Sequence, residues 1–232
     1  MGPSFNVNDV NILPHVDIVN TLRHYWGMTE RNGTYHHGDL RAALLAEAAA
    51  MIAEEGVAGV TMRELGRRLG VSRAAAYRHF EDKHALLLAV AAEGFEGLRE
   101  RLQAAEAAAP RPSLERLRRM GEEYVRFALE HPAHYRLMYG KEAVTRRDVP
   151  VVREAANAIF ELLVEVIRTH QRKGILKRGD PRAQAYVAWS AVHGLASLWI
   201  EGQIMATDDI DTLITQTTRT LLDGMRVRRR VS

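Results

Sequence analysis

The sequence predicts an all-α protein, in which an N-terminal three-helix domain containing a helix-turn-helix is joined by a long fourth helix to a helical C-terminal domain. From Asp39 onward the composition is rich in Ala, Leu, Arg and Glu, which favours helix throughout. Clear start and stop signals divide this region into successive helices. Neither an alternating strand pattern nor an internal repeat interrupts them.

The first helix is predicted to begin at Asp39, whose carboxylate can cap the backbone N–H groups of the first turn. Gly56 and Gly59 end this helix. Its apolar residues recur at every fourth position and form one stripe, which comprises Leu40, Leu44, Ala48 and Ile52.

Two short helices follow, and the sequence indicates how each begins. In the stretch "TMRE", Thr61 and Glu64 form a predicted capping box, in which each side chain bonds a backbone N–H of the first turn. This second helix stops at Gly70, because glycine readily adopts the left-handed conformation that ends a helix. Ser72 then caps a third helix that is predicted to run to about Phe80.

A fourth helix is predicted from Asp82 to about Ala108, where the stretch "APRPS" breaks the pattern. Five further helices are predicted at about 113–130, 133–139, 150–173, 181–205 and 209–226. The chain is thereby divided into a helix-turn-helix domain at 34–82, a helical domain at 83–226 and a basic tail at 227–232.

Residues 1–33 differ from the rest of the chain, because they are rich in Asn and Val and lack a sustained helical period. Met28 lies just before the change in composition, so one hypothesis is that translation naturally begins there and that residues 1–27 are read in from upstream. The alternative is a genuine N-terminal arm. The intact mass of the protein made from its native promoter distinguishes the two hypotheses. A mass that includes Met1 excludes a translation start at Met28.

The composition excludes several classes of protein. The 232 residues include no cysteine, which excludes disulfides, thiolate nucleophiles and zinc fingers. No run approaches the roughly 18 apolar residues of a membrane span, and the N-terminus lacks the pattern of a secretory signal. The formal net charge is only +3, so any contact with nucleic acid has to come from a local patch. These features predict a soluble, cytoplasmic protein that does not contact a membrane.

The third helix has an unusual composition, with three consecutive alanines among Arg, Tyr and His in "GVSRAAAYRHF" at 70–80. At 100° per residue, Ala76 and Phe80 share an inward face. The other directions carry Arg73, Ala74, Ala75, Tyr77, Arg78 and His79. Between Arg63 and Lys83, six Arg or Lys residues stand against three Asp or Glu residues, an excess that equals the net charge of the whole chain.

This surface suits a helix that lies in the major groove of DNA. Alanines permit close approach and can touch thymine methyl groups, while Arg73 and Arg78 can donate in pairs to guanine edges. Tyr77, His79 and Lys83 suit phosphate oxygens. The alternative is a structural helix-turn-helix that packs against a protein partner, because such pairs also occur in helical bundles.

From Tyr35 to about Leu102 the sequence resembles the DNA-binding domain of TetR-family transcriptional regulators. The matching stretches are "TMRELGRRLGVS" at 61–72, "YRHF" at 77–80 and "KHALL" at 83–87, with Ala48 and Gly56 in the first helix. The resemblance implies phosphate contacts from Thr61 and Tyr77, base contacts from the start of the third helix, and a DNA-backbone anchor at Lys83. The complete predicted DNA-contacting set is Thr61, Arg63, Ser72, Arg73, Ala74, Ala75, Tyr77, Arg78, His79 and Lys83.

The resemblance fades after residue 105, as expected for a C-terminal domain that varies with its ligand in this family. Trp189, His193 and Gly194 resemble the W-x-x-x-H-G signature of one class of these domains. The resemblance implies a ligand-binding and dimerisation domain without a cofactor, whose last two helices form a homodimer through a four-helix bundle. The candidate ligand-binding residues are Tyr124, Phe127, Met138, Phe160, Trp189 and His193. For each of them core packing is the alternative, and for His193 that alternative is a hydrogen-bonded structural role.

The sequence contains no motif that predicts an enzyme, such as a nucleophile elbow, a Walker loop, a dinucleotide fingerprint or H-E-x-x-H. His131 and His134 have the spacing of a metal-binding pair, but Pro132 lies between them and no carboxylate accompanies them. His36 and His37 are expected to cap the first helix or to meet a phosphate. The sequence therefore predicts a DNA-binding repressor that a small-molecule effector releases from a palindromic operator, with a helical interaction protein as the alternative.

Overall fold

The computed structural model describes residues 37–108, 112–140, 149–205 and 207–227. In these ranges the regular secondary structure is helical apart from one isolated antiparallel bridge, between Leu176 and Arg226, which confirms the predicted all-α class. None of the helices in these ranges has the length and apolar character that crossing a bilayer requires. His36, the extension at 1–33 and the tail residues 228–232 lie outside the described residues. The helices are α1 His37–Gly59, α2 Met62–Arg68, α3 Arg73–Tyr77, α4 Lys83–Ala107, α5 Leu114–Glu130, α6 Pro132–Tyr139, α7 Pro150–Arg172, α8 Pro181–Ile200 and α9 Ile210–Met225.

Helix α1 contains a kink at Gly56, whose φ of 74° and ψ of 177° are not helical. Before the kink, three of the four residues of the predicted apolar stripe are buried, since Leu44, Ala48 and Ile52 are each exposed by 1% or less, and Leu40 is half-buried. Glycine is suited to this backbone conformation because it has no Cβ. The kink therefore ends the regular part of α1 at the first of the two glycines that were predicted to stop it.

Helices α2, α3 and α4 begin at the predicted caps, whereas α1 begins at His37, so the prediction that Asp39 caps its start is wrong. The side-chain oxygens of Thr61 and Ser72 accept hydrogen bonds from backbone N–H groups three residues later, at 3.1 Å in both cases. Asp82 does the same at the start of α4, at 2.7 Å. Each cap satisfies a backbone donor that the helix itself cannot pair.

One half of the predicted capping box is wrong. The Glu64 carboxylate accepts from Arg67 Nε at 2.8 Å and from Arg68 Nε at 3.4 Å, whereas only the Thr61 side chain caps the helix. Two arginines one turn further along α2 offer charge-assisted hydrogen bonds, which are stronger than a bond to a neutral backbone N–H. The carboxylate therefore points along the helix.

Besides the start of α1, two predicted helix ends change. Helix α3 ends at Tyr77, three residues earlier than predicted, although Phe80 N still bonds Ala76 O at 3.1 Å. Helix α8 ends at Ile200 and does not reach 205. Gly202 has a φ of 66°, and Gln203 N donates to Leu198 O at 2.8 Å, which is the pattern of a glycine-terminated helix.

Gly70 forms the turn between α2 and α3 with a φ of 65°, and no atom lies within 4 Å of the position that a Cβ would occupy. The glycine is therefore required by the backbone conformation and not by lack of space. We expect Gly70→Ala to lower the free energy of unfolding by about 1 kcal/mol, and Gly70→Asn to lower it by less, because asparagine tolerates this conformation better. Urea denaturation at one protein concentration measures both, and equal stability of Gly70→Ala and the parent would contradict the assignment.

Helix α4 connects the two halves of the molecule. Its 25 residues span about 37 Å, from Lys83 beside the N-terminal domain to the start of α5. Helix α6 packs against both α4 and α1, so the C-terminal half directly contacts the helix-turn-helix domain. Gly94 permits this close packing, because a Cβ there would lie 2.6 Å from Met138 Sδ and 3.0 Å from His134 Cβ.

Candidate DNA-binding surface and a C-terminal cavity

Helix α3 has a solvent-facing side and a core-facing side, as the sequence predicted. Ala76 and Phe80 are 0% and 2% exposed and pack in the core. On the other side, Arg73, Ala74 and Arg78 are exposed, together with Tyr77, which is 39% exposed. Tyr77 is one of the few large hydrophobic side chains that lie on the surface of the described residues.

The prediction that Ala75 faces outward is wrong, because this side chain is only 7% exposed. Adjacent residues on a helix are 100° apart, so Ala75 and Ala76 together form the inner side of this five-residue helix. Both are small, which lets α3 lie close to α2. Ala74 is therefore the member of the alanine run that remains exposed, and His79 is half-buried.

Arg73 and Tyr77 form a pair along the outer side of α3. The Arg73 guanidinium carbon lies 5.2 Å from the centre of the Tyr77 ring, and its Nη2 donates to Tyr77 Oη at 3.4 Å. The cation is thus held over the aromatic face. Arg73 and Tyr77 therefore form a pair of side chains, one helical turn apart, that can both contact DNA.

Two of the six basic residues between Arg63 and Lys83 form ion pairs with neighbouring carboxylates, namely Arg67 and Arg68. Arg67 binds Glu64, and Arg68 reaches Glu54 Oε2 at 2.8 Å and Glu55 Oε1 at 2.6 Å. Hydrogen bonding and proximity to these carboxylates raise the pKa of Arg68 above its ordinary value. Arg68 therefore fastens α2 to α1, and its charge is not available to a polyanion.

The outer surface of α2 and α3 is positive because acidic and basic side chains lie on different sides of the domain. The domain as a whole has no excess of basic residues. Residues 37–83 contain seven Arg or Lys and seven Asp or Glu residues. The acids of α1 and α2 gather around Arg67 and Arg68, whereas Arg63 and Arg78 are exposed and form no ion pair with the described residues. Together with Arg73 they give α2 and α3 an outer surface of one sign.

Lys83 was predicted to anchor the DNA backbone, and the structure gives its ammonium group a second role. Lys83 Nζ donates to Val57 O at 2.6 Å and lies 3.5 Å from Ala58 O. These carbonyls belong to the last turn of α1, where a cation is favourable because the helix end carries partial negative charge. Lys83 therefore connects the start of α4 to the end of α1.

We expect Lys83→Met, which keeps the apolar stem of the side chain, to lower the free energy of unfolding by about 1–2 kcal/mol through loss of these bonds. If the ammonium also reaches phosphate, the variant binds all DNA sequences more weakly and with a shallower salt dependence. Denaturation and DNA titration against salt separate the two roles. A variant as stable as the parent would contradict the structural role.

A cavity of about 190 Å³ lies in the C-terminal domain and is bounded by α4, α5, α6, α7, α8 and α9. Its interior is mostly apolar, and Met120, Ile159 and Leu222 are among the buried side chains that line it. Asn157, Arg182 and Tyr186 are the exposed members of the lining and mark its mouth.

Three of the six predicted ligand-binding residues, Tyr124, Phe160 and Trp189, line this cavity. The other three are not part of the cavity wall. The Phe127 ring packs against Gly97 of α4, and its centroid lies 4.9 Å from that of the His131 ring. Met138 packs against Gly94 of α4, which has no side chain to occupy the space. Phe127 and Met138 face α4 and do not line this cavity.

Arg182 and Tyr186 also line the cavity but are not among the predicted residues, although the sequence contains a signal for them. These residues lie seven and three positions before Trp189 in α8, so all three share one side of the helix. Extending the helical spacing from Trp189 toward the Asp180 cap would have found them. Thr218 and Asn157, on α9 and α7, gave no comparable signal.

His193 lies behind the cavity wall in a hydrogen-bonded network. Its Nδ1 is 3.0 Å from Tyr124 Oη and 2.6 Å from Tyr135 Oη, and Trp189 Nε1 donates to Tyr124 Oη at 3.0 Å. Burial raises the pKa of Tyr124 well above its usual value and that of Tyr135 to about 12, so both phenols stay protonated. This geometry supports the structural role for His193.

His134 gives the molecule a predictable response to acid. Burial, with a smaller effect from His131, lowers the pKa of His134 from 6.5 to about 4. The unfolded chain binds this proton below pH 6.5 and the folded protein only near pH 4, so stability present above pH 6.5 is lost as the pH falls between these values.

We expect the parent protein to lose about 2–3 kcal/mol more of its unfolding free energy than His134→Leu between pH 6.5 and 4. The variant removes the titrating group, so the difference between the two proteins isolates its effect. Urea denaturation across this pH range measures it. If the unfolding free energies of the parent and His134→Leu change with pH in parallel, the lowered pKa of His134 is contradicted.

Comparison with known proteins now identifies the class to which this fold and surface belong. A family model described as bacterial regulatory proteins, tetR family, matches residues 44–90, which contain α2, α3 and the capped turns. A second model, described as the tetracyclin repressor-like C-terminal domain, matches residues 117–221. The chain belongs to the TetR family and is a DNA-binding transcriptional regulator.

Individual proteins are similar to this chain along most of its length. The chain is 25% identical over 189 residues to the uncharacterized HTH-type transcriptional regulator YobS of Bacillus subtilis (strain 168), covering 81% of this chain and 94% of YobS. A protein of unknown function from Rhodococcus sp. RHA1 is 33% identical, with a TM-score of 0.71 over 84% of this chain and all of the other. AibR, solved in complex with isovaleryl coenzyme A and operator DNA, shares the fold at 19% identity, with a TM-score of 0.64 over 78% of this chain and 97% of AibR.

Proposed function

We propose that the protein is a homodimeric repressor that leaves a palindromic operator when a small molecule enters the C-terminal cavity. The observation that carries the proposal is that α6 lines the cavity through Tyr139 and also packs against α1 of the helix-turn-helix domain. One short helix thus lies between the candidate effector site and the candidate DNA-binding surface. The protein acts where the DNA is, in the cytoplasm.

The DNA contacts are assigned to the exposed side of α3 and its flanks. Arg73 and Ala74 are placed against base edges, and Tyr77 and Arg78 against bases or phosphates. Thr61 and Ser72 each accept a capping bond and keep a hydroxyl proton that can bond a phosphate oxygen. Arg63, His79 and Lys83 complete the contact set at its edges, while Ala75 supports α3 from within.

The need for a dimer follows from the size of α3. A helix of five residues is about 7.5 Å long and reaches few base pairs. Two copies that are held about 34–36 Å apart reach successive major grooves on one side of the DNA. A two-fold symmetric protein then requires a palindromic operator.

Helices α8 and α9 are assigned to the dimer interface. Val187 and Leu198 of α8 are 59% and 49% exposed, although most large apolar side chains of the described residues are buried. Exposed apolar surface of this kind marks protein interfaces. Packing of α8 and α9 against their symmetry copies would cover both side chains in a four-helix bundle.

The coupling between the two sites runs through aromatic contacts. The Tyr139 ring lies 6.0 Å from Trp189 and 5.2 Å from His193, between centroids, and Tyr135 on the same helix bonds His193. A ligand that moves Trp189 or Tyr139 shifts α6 against α1. The equilibrium between the two positions of α6 shifts by the difference between the ligand's binding free energies for them.

Selection of bound sequences from a random duplex pool tests the proposal, followed by titration of the selected DNA against salt. We expect a palindrome that is bound at least a thousand-fold more tightly than random DNA. Analytical ultracentrifugation of the complex should show two protomers for each palindrome. Weak binding without sequence preference by the ligand-free protein would overturn the assignment of α3.

A further inference from the structure

We infer that the C-terminal cavity takes a small, uncharged molecule built around one aromatic or similarly flat apolar ring. This inference deepens the proposed function and rests on it for its regulatory consequence. Its physical basis is the size of the cavity, the arrangement of its aromatic walls and the state of every charged group at its mouth.

The volume limits the part of the ligand that can be enclosed. The cavity measures about 190 Å³. An apolar protein cavity of about 150 Å³ holds one benzene molecule. The enclosed part of the ligand is therefore roughly seven or eight non-hydrogen atoms, one ring with a short substituent. Sites that enclose drug-sized ligands measure about 300 Å³ or more.

The walls favour a flat ring. Phe160 lies at the centre of an aromatic cluster, with its centroid 4.5 Å from that of Tyr186 and 6.0 Å from that of Trp189. Aromatic pairs attract each other at centroid separations of about 4.5–7 Å in tilted and offset arrangements. A ligand ring among these three side chains extends the same packing. The buried aliphatic side chains Leu117 and Ile167 also line the cavity.

The charges at the mouth disfavour an ionised ligand. Arg182 is the only charged side chain in the lining formed by the described residues, and its guanidinium binds Glu161 at 2.7 Å and lies 5.2 Å from the centre of the Phe160 ring. An anionic ligand has to displace Glu161 or approach it. A cationic ligand finds no carboxylate in the lining formed by the described residues, so it loses hydration without gaining a partner. An anionic ligand gains Arg182 only by breaking the existing ion pair with Glu161.

The polar groups inside the cavity are also engaged. Tyr124 Oη accepts from Trp189 and contacts His193, and the Thr218 hydroxyl donates to Ile214 O at 2.9 Å. No buried group in the wall therefore requires a ligand donor or a ligand charge. Binding strength comes from apolar area, and a single hydroxyl on the ligand can face the mouth near Asn157.

Three molecules with the same carbon skeleton test the inference: cinnamyl alcohol, cinnamate and cinnamylamine, which are neutral, anionic and cationic at pH 7. Isothermal titration of the full chain without DNA is the primary measurement. We expect cinnamyl alcohol to bind at least tenfold more tightly than either ion. Equal or tighter binding of cinnamate or cinnamylamine would overturn the inference, and so would the absence of binding by cinnamyl alcohol, indole and naphthalene alike.

Filling the cavity supplies the site-specific control. Ala156→Leu and Ala188→Leu each add three carbon atoms to a wall residue, and each should abolish binding of cinnamyl alcohol. Ala107→Leu makes the same change at an exposed position of α4 outside the cavity and should retain it. Retained binding in both cavity variants would place the ligand elsewhere and overturn the inference.

A parallel titration of operator DNA separates this inference from the proposed function. If cinnamyl alcohol binds in the cavity and lowers operator affinity, both stand. If it binds there and leaves operator affinity unchanged, the ligand class stands, whereas release of DNA by this class of ligand is rejected.

Discussion

Replacing Arg73 with alanine is expected to weaken binding to the selected operator by about 10- to 100-fold, with a smaller effect on random DNA. Arg73 is exposed at the first position of α3 and is held over the Tyr77 ring at 5.2 Å, so its planar group is already oriented when the helix meets DNA. A bidentate contact to a base edge contributes about 1–3 kcal/mol of discrimination. Fluorescence anisotropy with operator, single-substituted operators and random duplex measures the loss.

Two further variants locate the effect. Lys173→Ala removes one positive charge from an exposed position beyond the end of α7, so it should leave operator affinity nearly unchanged. Arg63→Ala should weaken binding to all sequences by a similar factor and reduce the salt dependence by about one phosphate contact. If Arg73→Ala retains full preference for the operator at every position, Arg73 does not contact bases.

Replacing Phe95 with alanine is expected to lower the free energy of unfolding by about 3–5 kcal/mol, which is a large part of the stability of an ordinary protein. Phe95 is 0% exposed in the middle of α4, and its ring meets Tyr139 of α6 edge-on, with centroids 5.5 Å apart. The substitution leaves a cavity between the two helices that join the halves of the molecule. Neighbouring side chains can fill it only in part.

Urea denaturation at a fixed protein concentration measures this effect, because dimerisation makes stability depend on concentration. His84→Ala, at an exposed position near the start of the same helix, should change the unfolding free energy by less than about 0.5 kcal/mol. The loss of unfolding free energy in Phe95→Leu should lie between those of Phe95→Ala and His84→Ala. A loss below about 1 kcal/mol for Phe95→Ala would mean that the α4–α6 contact is not part of the core.

Local signals in the sequence predicted the local structure well. Thr61, Ser72 and Asp82 cap their helices where the sequence placed them, because a cap depends only on a side chain and a backbone N–H three residues later. The burial of Ala76 and Phe80 followed from helical periodicity. The end of α8 at Ile200 could have been predicted in the same way, because Gly202 readily adopts the positive φ that follows a helix end.

Contacts between distant segments were beyond the reach of the sequence. Met138 and Tyr139 are adjacent in α6, yet the first packs at Gly94 of α4 and the second lines the cavity with Trp189. Which aromatic side chains line a cavity depends on how six helices are arranged around it, and periodicity within one helix gives only the side of that helix. Three of the six candidate ligand-binding residues therefore lie outside this cavity.

By itself, the sequence determined the helical class, the helix-turn-helix with its caps, and the outward position of Arg73, Tyr77 and Arg78. These features depend on neighbours within about one helical turn. Only the tertiary structure decided that Arg68 is held by acids of α1, that Lys83 bonds the end of that helix, and that α6 lies between the cavity and α1. The physical reason is that charge pairing and packing depend on distances between residues that lie far apart along the chain.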